Sequence, residues 1–312
     1  MREIKKVAIA GAGTMGASIA LCFANKAFDV WIYDLSEKQL ELGKKLIELN
    51  LESLVKEEIL SSDEASMTME RIQFSTNINI FEDVEFVSES IVEKLEIKQS
   101  FWKSISEIAK PEAILTTNTS GLSINAIAER VTDRSRFAGF HWVNPPHLVP
   151  FVEIIKGNET TDEVAEAIRN ISIEIGKKPI TVKKDVPGFA LNRIQFAVLR
   201  ESMHIVEQGI ASAEDVDTLL KYGLGLRYAL LGPFETADLG GLDVFYAISS
   251  YLFAELNADK EPSKLLKEIV EAGNYGAKTG KGFYDYTDGR KEEIIKNRDE
   301  KLLKMMKYVN AD

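Results

Sequence analysis

Residues 137–155, FAGFHWVNPPHLVPFVEII, set a histidine, His141, near the end of one apolar run and a glutamate, Glu153, inside a second, with an Asn-Pro-Pro bend between them. Two strand-like runs joined by a bend can bring an imidazole against a carboxylate. The carboxylate then fixes the ring tautomer and favours the imidazolium, which equips the histidine as a general base. Spacing alone leaves a second reading open, in which His141 is a hydrogen-bonded structural residue and Glu153 caps a strand. Phe140, Trp142 and Phe151 beside the pair would keep water from it, or are ordinary strand core. His147, just past the two prolines, could be a second base, but reads better as a loop histidine at the rim of a cleft.

The elements upstream have the pattern of a nucleotide site. Lys6–Ala10 reads as a short buried strand, followed at once by Gly11-Ala12-Gly13-Thr14-Met15-Gly16 and a helical run over 17–26. In that context, G-x-G-x-x-G fits a dinucleotide: Gly11 permits the tight turn, Gly13 lets the backbone approach a pyrophosphate, and Gly16 lets helix and strand pack closely. Amide groups at the helix start face the phosphates. The next strand, 28–33, ends at Asp34, 18 residues beyond Gly16. A carboxylate there accepts hydrogen bonds from ribose hydroxyls and repels a 2′-phosphate, which selects NAD over NADP. The competing role, capping the following helix, is already filled by Ser36-Glu37-Lys38-Gln39 as a capping box.

Further along, 39–60 is an amphipathic helix whose Lys44, Lys45 and Lys56 are either solvated charge or a place to meet a phosphate. Residues 61–70 form a loop or short helix. Strands over 71–76, 84–92 and 113–117 alternate with a helix over 95–109, the rhythm of an α/β fold with a doubly wound, mostly parallel sheet. Ligands of such sheets bind at the carboxyl ends of the strands, where Glu93, Asn118, Ser120 and His141 fall. A helix over 161–176 and a strand over 179–182 follow. From Pro187 on, the pattern is almost wholly helical, so the expected boundary lies near Lys184, with domains 1–184 and 185–312. Asn192 stands one turn into the first helix of the second domain, either aimed at the cleft or bonding locally. Apolar stripes over 219–231, 242–256 and 263–272 suit a dimer interface or a helical core. The charge-rich tail from Thr287 reads as an exposed helix.

A net charge of −11 speaks against nucleic acid or an anionic membrane as a partner. There is no apolar run of about 18 residues, and the N-terminus enters a strand directly, so a cytoplasmic, soluble protein is expected. A single cysteine, Cys22, sits in a helical apolar stretch as a small core residue, and no Cys/His clustering suggests a metal.

Taken together, GAGTMG with Asp34, NTSGLSI (118–124), FAGFHWVNPP, PGFALNRI (187–194), LGPFETADLGGLDV (231–244) and AKTGKGFYDY (277–286) resemble the 3-hydroxyacyl-CoA dehydrogenase family over roughly residues 5–286. The resemblance implies a Rossmann-type NAD-binding domain followed by a smaller all-helical domain that dimerises. It also implies reversible oxidation of an (S)-3-hydroxyacyl-CoA, of short chain, to the 3-oxo compound. By that likeness His141 is the base, Glu153 orients it, and Ser120 and Asn192 hydrogen-bond the reacting oxygen. Glu93, Lys98, Asn118, Ser120, Asn144 and Lys278 match positions that line the cofactor. VNPPHLVPFVEII and the stretch from GFALNRIQFAVL to GLGLRYALLGPFET look closer to the L-gulonate 3-dehydrogenase and lambda-crystallin branch, which implies free hydroxy acids as substrates. A non-catalytic, crystallin-like NAD-binding protein is the third possibility, and the intact set Ser120, His141, Glu153 and Asn192 argues against it.

Overall fold

The computed structural model describes residues 4–309. Eight strands, β1 (Lys6–Ala10), β2 (Asp29–Tyr33), β3 (Ile72–Ser75), β4 (Phe86–Glu89), β5 (Ile114–Thr117), β6 (Phe137–Trp142), β7 (Phe151–Lys156) and β8 (Lys178–Val182), form one sheet in the order β3-β2-β1-β4-β5-β6-β7-β8. Successive side chains of a strand point to opposite faces, so the continuous apolar runs require cover on both. In β1, Val7 and Ile9 enter one core, while Ala8 and Ala10 enter the other.

The first core is closed by α1 (Thr14–Ala24), α2 (Glu37–Lys56) and α6 (Asp162–Glu174), with α3 (Ser62–Glu70) beside them. The second is closed by α4 (Leu95–Ile108) and α5 (Ile124–Ala128). Cys22 is buried in the first. The 61–70 segment is a helix because Ser61 and Glu64 form a reciprocal capping box.

Every strand pairing is parallel except β6 with β7. Only eight residues, 143–150, connect those two strands. A parallel crossover needs about a dozen or more, so β7 must turn back along β6. The resulting register sets His141 directly opposite Glu153.

At the sheet centre, Glu89 is fully buried at the end of β4. Its carboxylate accepts from Lys98 Nζ at 2.5 Å, Thr117 Oγ1 at 2.7 Å, the Ile91 amide at 2.9 Å and Trp102 Nε1 at 3.2 Å. Lys98 and Trp102 are one turn apart on α4, so this knot fixes α4 over β4 and β5.

Two compact units divide between Asn192 and Arg193, and the chain rejoins the first unit from Asn297. The division falls later than Lys184 because residues 185–192 are fastened to the first unit: Asp185 accepts from Ser123 and Asn125, and Phe189 is buried in the second core. The second unit, Arg193–Lys296, holds most of α7 (Leu191–Glu207), then α8 (Ala213–Thr218), a wide turn over Leu219–Gly225, α9 (Leu226–Tyr228), α10 (Pro233–Gly240), α11 (Leu242–Leu252) and α12 (Lys264–Glu271). The tail is a helix, α13 (Arg290–Val309), as its pattern predicts, but not a wholly exposed one. Leu303 is buried in the first core, and Glu300 pairs with Lys56 at 3.3 Å.

Breaking the Glu89 pair from one side strands a buried charge. Lys98→Met is expected to cost about 3–5 kcal/mol in urea unfolding, and adding Glu89→Gln to recover part of it. A loss below about 1 kcal/mol would show that the pair does not fasten α4.

Candidate active site

The site is built at the carboxyl ends of the strands. Gly11, at φ +100°, lies so close to β4 that an added Cβ would sit 2.6 Å from Ser90 O, and one on Gly16 would sit 1.8 Å from Gly11 O. A Cβ on Gly13 would meet nothing within 4 Å. Packing thus dictates the outer glycines, whereas Gly13 opens onto space, as the approach of a pyrophosphate requires. Thr14 and Met15 begin α1, and Gly13 as its N-cap supplies no side chain to the helix-start amides, which suits an anion.

Asp34 reaches back to this loop. Its Oδ2 accepts from the Ala12 amide and its Oδ1 from the Ser36 amide, both at 3.0 Å. The expected capping box forms only in half: Ser36 Oγ accepts from the Gln39 amide, but the Gln39 side chain donates to Ala12 O at 3.1 Å. Asp34 takes the Ser36 amide instead. Beside it opens a cavity of about 830 Å³ lined by Gly13, Asp34, Ile91, Val92, Ile97 and Phe101 among others. Largely apolar walls, with the carboxylate of Asp34 at the glycine loop and that of Glu96 on α4, fit the adenosine half of NAD. Gly43 on α2, unremarked in the sequence, belongs to this cradle, since a Cβ there would lie 2.7 Å from Ala12 O.

His141 and Glu153 meet in the register that the short connection imposes. Nδ1 of His141 lies 2.7 Å from Glu153 Oε2, with the histidine nearly and the glutamate wholly buried. A carboxylate only accepts, so Nδ1 carries the proton and Nε2 is left as the basic nitrogen. The other oxygen, Oε1, accepts from the amides of Ala190 and Leu191 at 3.0 and 2.9 Å, at the start of α7. Burial would push the Glu153 carboxyl up, but the bonds from His141, Leu191 and Ala190 outweigh it and hold the group below the usual carboxylate range. The Phe189 ring stands 5.8 Å from the imidazole at 60°.

Asn192 comes to the Ser120 loop, its Nδ2 donating to Ser120 O at 3.0 Å. Ser120 itself is exposed, and its amide donates to Glu93 at 3.2 Å. Glu93 also accepts from Thr119 Oγ1 and pairs with Lys98 at 3.2 Å. Partial burial is again overcome, by Thr119, Lys98 and the Ser120 amide, and Glu93 is held below its ordinary value. Lys98 is buried beneath these carboxylates. Asn118 stitches three strand ends: its Oδ1 accepts from the Trp142 amide at 2.8 Å and its Nδ2 donates to Ser90 at 3.2 Å, while its own amide donates to Glu89 O at 2.8 Å. Asn144 is exposed on the 143–150 loop, which Lys177 holds through Pro146 O and Val149 O at 2.5 and 3.0 Å. Lys278 is an exposed residue of the second unit.

His147 is no open rim histidine. Burial is the main cause that lowers it to about 4, so it is neutral at physiological pH. Lys44 and Lys45 are exposed on α2, as is Lys56 beside Glu300. Among the described residues no group of three or more His, Cys, Asp or Glu could hold a metal ion.

Two family descriptions match the chain: 3-hydroxyacyl-CoA dehydrogenase, NAD binding domain, over residues 6–186, and 3-hydroxyacyl-CoA dehydrogenase, C-terminal domain, over 188–286. A probable 3-hydroxybutyryl-CoA dehydrogenase of Deinococcus radiodurans is 39% identical over 282 residues, 90% of this chain and 100% of that one. A 5-formyl-3-hydroxy-2-methylpyridine 4-carboxylate 5-dehydrogenase of Mesorhizobium japonicum is 31% identical over 309 residues, 99% of each. A crystal structure of an enzyme of that activity, described as an NAD+-dependent dismutase, superposes with a TM-score of 0.92 at 30% identity, again over 99% of each chain. With both domain descriptions matched in order and NAD the nucleotide of the first, the chain belongs to the 3-hydroxyacyl-CoA dehydrogenase family.

Proposed function

We propose that the protein catalyses NAD-dependent, reversible oxidation of a short-chain (S)-3-hydroxyacyl-CoA, such as 3-hydroxybutyryl-CoA, to the 3-oxoacyl-CoA. The observation that carries this reading is the His141–Glu153 pair, whose Nε2 is left free as a base at the carboxyl edge of the sheet. Gly11, Gly13, Gly16 and Asp34 would hold NAD, with Glu93, Asn118 and Asn144 toward its nicotinamide end. Bound NAD+ supplies the acceptor for the hydride leaving carbon 3. His141 Nε2 takes the proton of the 3-hydroxyl as the carbon–oxygen bond becomes a carbonyl, and Glu153, already ionised, stabilises the imidazolium. In the reverse direction the imidazolium returns that proton to the oxygen. Ser120 and Asn192 donate hydrogen bonds to that oxygen while its charge changes.

A specific observation favours a second reading, in which the substrate is a free acid, such as a free 3-hydroxy acid, and not a CoA ester. The likeness to the pyridine-carboxylate dehydrogenase spans 99% of this chain, whereas the family descriptions stop at residue 286. α13, which lies beyond that point and buries Leu303, is included in the longer likeness. A role for Lys44, Lys45 and Lys56 in meeting CoA phosphates belongs to the first reading alone. The crystallin-like alternative loses ground to the intact Ser120, His141, Glu153 and Asn192 set.

The reading includes a homodimer. Large apolar side chains stand open along the second unit, Phe234 at 85%, Tyr246 at 78% and Phe253 at 72% exposure, and a second copy is the partner that would cover them.

The decisive assay follows NADH oxidation with acetoacetyl-CoA against free acetoacetate. A kcat/KM preference for the CoA ester of about a hundredfold or more is expected, with turnover falling on the order of a hundredfold or more in His141→Ala while NADH binding persists. Equal or better use of free acids would select the second reading, and near-normal turnover in His141→Ala would remove the base. Sedimentation equilibrium is expected to give twice the 34.8 kDa chain mass, and a monomer at micromolar concentration would contradict the dimer.

A further inference from the structure

The segment 183–192 crosses the site as a strap, and a carboxylate fastens each end of it. At the far end, Glu153 Oε1 accepts from the Ala190 and Leu191 amides. At the near end, Asp185 Oδ2 accepts three hydrogen bonds, from Ser123 Oγ at 2.6 Å and from the amide and Nδ2 of Asn125 at 2.9 Å each. Ser123 is the N-cap of α5, its Oγ accepting from the Ala126 amide, and it lies three residues past Ser120. Asn125 Oδ1 accepts in turn from the Asn158 amide at 2.7 Å, which anchors this point to the turn after β7.

Between the two fastenings the backbone is strained. Gly188 and Phe189 are both left-handed, at φ +77° and +49°. For a phenylalanine that conformation is costly and persists only where its surroundings enforce it. The Phe189 side chain is 2% exposed, with its ring beside the His141 imidazole, and its amide donates to Val186 O at 3.0 Å. The strap then delivers Asn192 to Ser120 O. Its release at either end would let the left-handed pair relax, withdrawing the amides from Glu153 and Asn192 from the Ser120 loop.

We infer that Asp185 is a positioning residue for the reaction. By pinning the strap to the start of α5, it sets Asn192 on the Ser120 loop and the first amides of α7 on Glu153, without itself touching substrate. This rests on the reading of His141 as the base and of Ser120 and Asn192 as partners of the reacting oxygen. Charge-assisted bonds of the kind Asp185 makes are stronger than neutral ones, which suits them to hold strain.

The test compares wild type, Asp185→Ala and Asp185→Asn with (S)-3-hydroxybutyryl-CoA carrying hydrogen or deuterium at carbon 3. Asp185→Ala is expected to lower kcat by roughly ten- to a hundredfold, the size of effect that a small misplacement of reacting groups produces, with NAD binding unchanged. Its deuterium isotope effect on kcat should rise, because bond breaking becomes rate-limiting. Asp185→Asn, which keeps an oxygen acceptor, should recover most of the rate. A merely structural role would reduce the active fraction and leave the isotope effect where it was, and that result overturns the proposal. If Asp185→Ala does not fold, Ser123→Ala removes one contact from the opposite side, and an unchanged isotope effect there overturns the proposal as well. An inactive His141→Ala beside an Asp185→Ala of wild-type rate defeats the strap alone. A His141→Ala of wild-type rate defeats the base reading and the strap together.

Discussion

Glu153 divides its two oxygens between the imidazole of His141 and the first amides of α7, and the arrangement of the site depends on that division. A wholly buried carboxylate must have its charge compensated. Here one oxygen takes the proton on Nδ1 at 2.7 Å and the other takes two backbone donors at about 3 Å. The same group therefore settles which nitrogen of His141 is basic and where the helix carrying Asn192 begins. Orientation of the His141 imidazole and placement of the Asn192 amide are not separate tasks in this molecule.

The sheet makes this possible by reversing once. Strands β1 to β6 run parallel and bring the glycine loop, Asp34, Glu93, Asn118 and His141 to one edge. The eight-residue connection then forces β7 back along β6, so Glu153 faces His141 across the pairing instead of lying at the far edge. Below that edge, the buried Glu89–Lys98 pair and the Asn118 bridge hold the ends of β4, β5 and β6 together. Lys98 also reaches Glu93, whose other bonds run to Thr119 and Ser120, so the sheet's central ion pair and the Ser120 loop share one lysine.

The sequence carries the strands, the glycine loop and the His–Glu motif plainly, because period and spacing act locally. Whether His141 and Glu153 meet was legible only through the short connection, which converts spacing into register. Elsewhere tertiary contacts overrode local signals. Gln39 has the spacing of a capping box but turns to Ala12 O, since Asp34 already occupies the Ser36 amide. The charged tail buries Leu303, one of several apolar residues spaced among its charges. Glu89, set between Ser88 and Ser90, carried no such signal, and its bonds to Lys98 and Trp102 arise only once α4 packs on the sheet. Asp185 and Phe189 gave no sign, because a left-handed phenylalanine and a carboxylate that fastens a loop have no period. That is also why the boundary between units falls after Asn192 and not at Lys184.

The most direct test of the account is the tautomer of His141. In protein labelled with ¹⁵N-histidine, the neutral imidazole should show a proton on Nδ1 and a bare Nε2, assigned by their loss in His141→Asn. That pattern is what a carboxylate acceptor at 2.7 Å from Nδ1 requires. A neutral ring protonated on Nε2 would mean that Glu153 does not orient His141, and the division of its two oxygens could not be what places the site.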